Sequence, residues 1–179
     1  MAGKFIVYAC PVGELADQLE QYFQESRRLC GANTAHKYMP HCTLTSFFDD
    51  ETSLIPLYLE ALDKAYAYWY PHRPTPVIRI ADMQFQPDWH GFELESEWLK
   101  QLVSSFINEA QSPARQDPLH RKEWLHLSFA YDFSPQSYRT LVRVAQELID
   151  PHAAVRWELR FYERYPDWTW MCHQSWLLS

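Results

Sequence analysis

Glycine is scarce in this chain, 4 in 179 residues, and no Gly/Ser tract occurs. That excludes a flexible linker of the usual composition, and no low-complexity segment takes its place. No run approaches the roughly 18 apolar residues needed to span a membrane, so a membrane is not an expected partner. The opening "MAGKFIVYACPVGE" turns polar too soon for a signal peptide and reads as a first strand. Cysteine is sparse: Cys10, Cys30, Cys42 and Cys172 form no CxxC pair. This excludes a zinc ribbon and argues against a disulfide framework. Free, mostly buried thiols in a reducing cytoplasm are expected. There are 8 His but no HxxxH or HExxH, and no carboxylate is patterned with them. Neither a metal nor a cofactor is therefore expected. Cations are also in deficit, with a formal net charge of −7. This disfavours long nucleic acid, whose binding is driven by cation-to-phosphate contacts. A small phosphate ligand, or one RNA end in a locally basic cleft, remains compatible. Nothing in the sequence sets an oligomeric state.

Aromatic side chains are abundant: 8 Trp, 11 Tyr and 10 Phe in a chain that is 47% hydrophobic. That is enough apolar material for one domain over residues 1–179. Apolar periodicity predicts a strand at 4–10 and a helix at 14–29. A strand at about 41–48 follows, then a helix entered through the acidic "DDETS", and a strand within 75–85. The second half repeats the order: strand 89–95, Ser-capped helix 96–110, strand from 125, helix from "SPQSY", strand 153–164. The pattern predicts an α+β fold of two pseudo-symmetric lobes, approximately 1–87 and 88–179. Each would be an antiparallel sheet with outer helices, and the two would flank a central cleft. A last strand, "WTWMCHQSWLLS", has no counterpart. Its Trp168, Trp170 and Trp176 are evenly spaced and read as one buried face.

The two halves share a motif. An offset of 85 residues takes His41 to His126, Thr43 to Ser128, Phe48 to Phe133 and Lys37 to Lys122. Residues i and i+2 of a strand point the same way. His41, Thr43 and Thr45 therefore share a face, as do His126, Ser128 and Ala130. A single H-x-[ST] is a weak signal, and a third copy, His173-Gln174-Ser175, falls outside the repeat. The strength lies in two copies at equivalent points of two similar units. Two imidazoles and two hydroxyls in one cleft suit phosphoryl transfer without a metal. One neutral His takes a proton from the attacking oxygen, and one protonated His gives a proton to the leaving oxygen. The hydroxyls hold the non-bridging oxygens in line.

"HCTL" (41–44) and "HLSF" (126–129) resemble the paired H-x-[ST]-x motifs of the 2H phosphoesterases. "LHLSFAYDFSP" and "YPDWTW" resemble the 2H domain of TULA-type proteins. The resemblance covers essentially the whole chain in element order, although only the motifs are specific. It implies a bilobal fold and metal-independent cleavage of a 2′,3′-cyclic phosphate or a related nucleotide or RNA-end phosphodiester. It also implies His41 and His126 as the acid/base pair, with Thr43 and Ser128 as phosphate ligands. Two departures are mild: Ser128 stands where Thr is commoner, and Cys42 fills a hydrophobic slot.

Lys37 and Lys122 each precede a motif His by four residues and either raise the potential of the cleft or are solvated loop charges. Trp124 and Met39 share the parity of the catalytic face, so each is placed to meet a base or to pack a cleft wall. Two other readings keep the same sequence features. One is a non-catalytic module binding a nucleotide or RNA terminus. The other is an interaction protein using its aromatic surface.

Overall fold

In β1 (Ala2–Val12), Phe5, Val7 and Ala9 enter one apolar cluster, and Ile6, Tyr8 and Cys10 enter another. This is the period-two alternation of a strand covered on both sides. A computed structural model describes all residues, Met1–Ser179. After β1 come α1 (Glu14–Cys30), β2 (Cys42–Thr43), β3 (Phe48–Glu51) and α2 (Ile55–Trp69). Then follow β4 (Arg79–Phe85), β5 (Trp89–Glu95), α3 (Glu97–Glu109), β6 (Leu125–Tyr131), α4 (Tyr138–Leu148), β7 (Arg156–Arg164) and β8 (Trp170–Leu177). The fold is α+β.

All eight strands join one antiparallel sheet in the order β4-β5-β6-β2-β1-β7-β8, with β3 also paired to β1. The halves of the chain interleave: β7 runs along β1 from Lys4↔Arg164 to Val12↔Arg156, and β4 pairs with β5. Helix α1 packs on α4, and α2 on α3. Their apolar stripes, such as Leu15, Leu19 and Tyr22 of α1 and Leu99, Leu102 and Phe106 of α3, meet Phe5, Leu44, Phe92, Leu127, Leu159 and Phe161 of the sheet. One sheet face is thus closed by helices, and the other carries polar residues and a small aromatic cluster. The half-buried Ser96 hydroxyl caps α3 by accepting from Leu99 N at 3.2 Å, as the sequence predicts.

Four details depart from the sequence pattern. The motif strand expected over 41–48 is broken: β2 is two residues long, and the chain re-pairs with β1 as β3. Asp50 is therefore no helix cap. It lies buried in β3, accepting from the hydroxyls of Tyr58 and of Ser112, the latter at 2.6 Å, and so anchors the loop after α3. In β8 a register shift beside Phe161/Tyr162 reverses the parity of the strand. Trp176 consequently packs in the main core, while Trp170 lies with Tyr8, Tyr38 and Tyr162 on the open face, and the three tryptophans do not share one side. All four cysteines are free, but only Cys10 and Cys42 are buried; Cys172 is exposed.

Candidate active site

β2 and β6 are neighbours at the middle of the sheet, with Cys42 opposite Leu127. These two point into the core, so the residues flanking them face the open side. Extending that antiparallel register by one residue brings His41 toward Ser128 and Thr43 toward His126. Each imidazole thus stands across from the hydroxyl of the other motif. All four line a cavity of about 490 Å³, together with Tyr8, Tyr38, Phe47, Lys122, Trp124 and Tyr131 among others.

Both imidazoles are fixed by the same backbone device. Nδ1 of His41 lies 2.7 Å from the carbonyl of Met39, and Nδ1 of His126 lies 3.3 Å from the carbonyl of Trp124. A carbonyl only accepts, so Nδ1 carries the hydrogen in each ring. In the neutral form the lone pair is then on Nε2. The surroundings differ. His41 packs on Tyr8 and Tyr38, with ring centroids 4.1 and 5.2 Å away. Burial pushes its pKa down to about 4 against the pull of the Met39 bond, and His126 lowers it further. His126 stacks on Trp124 at 3.8 Å, and Trp124 is 49% exposed. Burial lowers the pKa of His126 as well. The Trp124 carbonyl opposes the shift, and the Lys122 ammonium adds to it.

The hydroxyls are also oriented. Trp89 Nε1–H donates to Ser128 Oγ at 2.8 Å, which occupies an acceptor site and leaves the Ser128 O–H free to donate. Gly91 leaves room both for the neighbouring strand and for the indole: a Cβ there would clash with the Leu127 carbonyl oxygen and stand 2.5 Å from the Trp89 ring. Thr43 and Thr45 both line the cavity, but Thr45 is tied to the sheet, its buried Oγ1 accepting from Val7 N at 3.2 Å.

Lys122 reaches the cavity but Lys37 does not: its ammonium sits 4.9 Å over the Trp168 ring. Ala130 does not share the face of Ser128. A bulge opposite His90/Gly91 turns Ala130 into the core and gives the cavity Tyr131 instead. His173 lies elsewhere, its Nε2 2.8 Å from Glu163, so the third H-x-S takes no part. The pattern missed Tyr8, Tyr38, Phe47, Trp89 and Tyr131. Strand parity alone could have found Tyr8; the others reach the cavity through loops, a bulge or a neighbouring strand. No group of three or more His, Cys, Asp or Glu is placed to hold a metal ion. No helix is long and apolar enough to cross a membrane.

No family model matches the chain. It is 30% identical, over 91% of its length, to the ecdysteroid-phosphate phosphatase of Drosophila melanogaster, and 31% identical over 91% to the Bombyx mori protein of that name. It is 30% identical, over 90% of its length, to the ubiquitin-associated and SH3 domain-containing protein B of Homo sapiens, a TULA-type protein. The chain spans about a quarter of the length of these relatives, 26%, 25% and 25% respectively.

Proposed function

We propose that this chain is a metal-independent phosphodiesterase of the 2H type, acting on a 2′,3′-cyclic phosphate or a related nucleotide or RNA-end phosphodiester. The observation that carries the reading is the matched pair of imidazoles, each with Nδ1 held by a carbonyl two residues back and each facing the other motif's hydroxyl. The relatives support phosphate-ester chemistry, since two of them are named phosphatases. The two sides of the sheet, β4-β5-β6 and β2-β1-β7-β8, each drawn from both halves of the chain, act as two lobes about a pseudo-two-fold axis between β2 and β6, and neither a metal nor a cofactor takes part.

In the hydrolytic direction, Nε2 of neutral His41 takes a proton from water as the water oxygen bonds to phosphorus. The P–O bond to the ribose oxygen breaks on the opposite side, and protonated His126 gives its proton to that oxygen. A cyclic phosphodiester and water become a phosphomonoester, and the two histidines exchange protonation states before solvent resets them. The roles follow from the surroundings. His41 is wedged between tyrosines and resists charge. An imidazolium at His126 gains from the indole face of Trp124. Thr43 and Ser128 donate to the non-bridging oxygens, and Lys122 attracts the anion.

The test is hydrolysis of a panel of 2′,3′-cyclic nucleotides in EDTA by wild type and His126→Ala. Turnover by wild type that vanishes in the variant is the expected result. Tight binding without turnover on cyclic nucleotides, RNA ends and 2′-5′ oligomers would replace the enzyme with a binding module.

A further inference from the structure

One end of the cleft carries two cations with no anionic partner, in a chain whose net charge is −7. Arg164 and Lys37 take part in none of the ion pairs of the structure. Nε of Arg164 is shielded from solvent and has no hydrogen-bond partner. The guanidinium is held by aromatic faces instead, 4.3 Å over Trp168 and 5.5 Å over Phe47. Lys37 lies over the same indole.

The arrangement is built rather than incidental. Trp168 sits at φ 65 in a tight turn closed by Tyr165 N to Thr169 O at 2.8 Å. Trp170 Nε1–H donates to the Lys37 carbonyl at 3.1 Å, which pins the backbone of the lysine. The nearby carboxylates are engaged elsewhere. Asp49 pairs with Lys4 at 3.0 Å, and Asp167 accepts from the Thr169 hydroxyl at 2.6 Å. The cluster adjoins the cavity, because Phe47 and Tyr38 line it and also touch Arg164 and Trp168 respectively. Arg164 pairs with Lys4, and Arg160 with Tyr8, which packs on His41. The four steps from Arg160 to Arg164 span about 13 Å of β7 at roughly 3.3 Å per residue.

We infer that Arg164 and Lys37, presented on Trp168, form a second anion subsite at the end of the cleft that takes a further phosphate of the substrate. This rests on the proposed phosphodiesterase reading and narrows it to substrates with at least two phosphate groups. Only Nε of Arg164 is shielded from solvent; the half-buried side chain makes no hydrogen bond, so its terminal nitrogens remain to donate to a phosphate.

The experiment compares three probes in EDTA: adenosine 2′,3′-cyclic phosphate, the same compound with a 5′-phosphate, and a dinucleotide ending in a 2′,3′-cyclic phosphate. Wild type is set beside Arg164→Gln and Arg164→Lys. Binding of the matching 2′- and 3′-phosphate products is measured by calorimetry. The second phosphate is expected to improve kcat/KM by about tenfold, the worth of one charge-assisted bond. Arg164→Gln should abolish the gain and leave the first probe unchanged; Arg164→Lys should keep part of it. A gain on the 5′-phosphorylated probe places the second phosphate on the same nucleotide, and a gain on the dinucleotide alone places it on the next one. Turnover with no gain from either phosphate overturns the subsite and spares the phosphodiesterase. A binding gain lost in Arg164→Gln, without turnover of any probe, keeps the subsite and overturns the phosphodiesterase. Equal loss on all probes in both variants makes Arg164 a packing residue and overturns the subsite.

Discussion

The two H-x-[ST] strands share a backbone device and differ in what surrounds it. His41 and His126 each give Nδ1–H to the carbonyl two residues earlier. His41 is wrapped by Tyr8 and Tyr38, whereas His126 stacks on the half-exposed Trp124 with Lys122 close by. Repeating the motif supplies two equivalent imidazoles; on the proposed reading, the unequal walls keep His41 neutral and leave His126 the easier of the two to protonate. An acid/base pair needs that difference, which the motif alone does not contain.

The largest test of the comparison is to delete each side. His41→Ala and His126→Ala should each lower kcat/KM on a responsive cyclic nucleotide by about 10²–10⁴, with the double variant no worse than the poorer single one. A loss on one side only would break the pairing.

The second test disturbs the orientation of Ser128. Trp89→Phe removes the indole N–H. It should cost up to about tenfold in kcat/KM, the worth of one hydrogen bond. It should not add to Ser128→Ala. Full additivity would show that Trp89 acts elsewhere.

The third concerns pH and stability. The unfolded His41 takes a proton near 6.5, but the folded one resists down to about 4. Below 6.5 the unfolded state therefore binds more protons, and stability falls as pH drops from about 6.5 toward 4, then levels. Buried His90, also pushed down to about 4 by desolvation, contributes in the same window. Urea melts across this range should show a shallower decline in His41→Asn, the remaining slope belonging to His90, His126 and His36, whose pKa values burial also lowers. An unchanged slope would mean that His41 is not held neutral.

The smallest effect belongs to Lys122. Lys122→Gln should raise KM a few-fold at low ionic strength and have no effect at 0.5 M salt, since an exposed charge is screened. A salt-independent change would assign it direct contact.

The sequence carried the sheet-forming segments, all four helices and the four residues of the two motifs, because alternation and an 85-residue offset are written in side-chain type. It did not carry the bulge that replaces Ala130 with Tyr131, or the one that separates Trp170 from Trp176. A bulge adds one residue to a strand without a distinctive side chain. The acidic "DDETS" reads as the start of a helix, but the buried bonds of Asp50 within it, to Tyr58 and Ser112, are not local to the cap, and that to Ser112 joins segments far apart in sequence. Lys37 shares the spacing of Lys122, but the turn carrying Trp168 captures it, and local spacing holds no sign of that turn.

The most direct measurement is the pH dependence of kcat/KM on a 2′,3′-cyclic nucleotide in EDTA. One neutral and one protonated imidazole, both with lowered pKa values, predict a bell whose maximum lies on the acid side of 6.5. A profile without that bell, or activity that appears only when a divalent metal is restored, would contradict the two-histidine account.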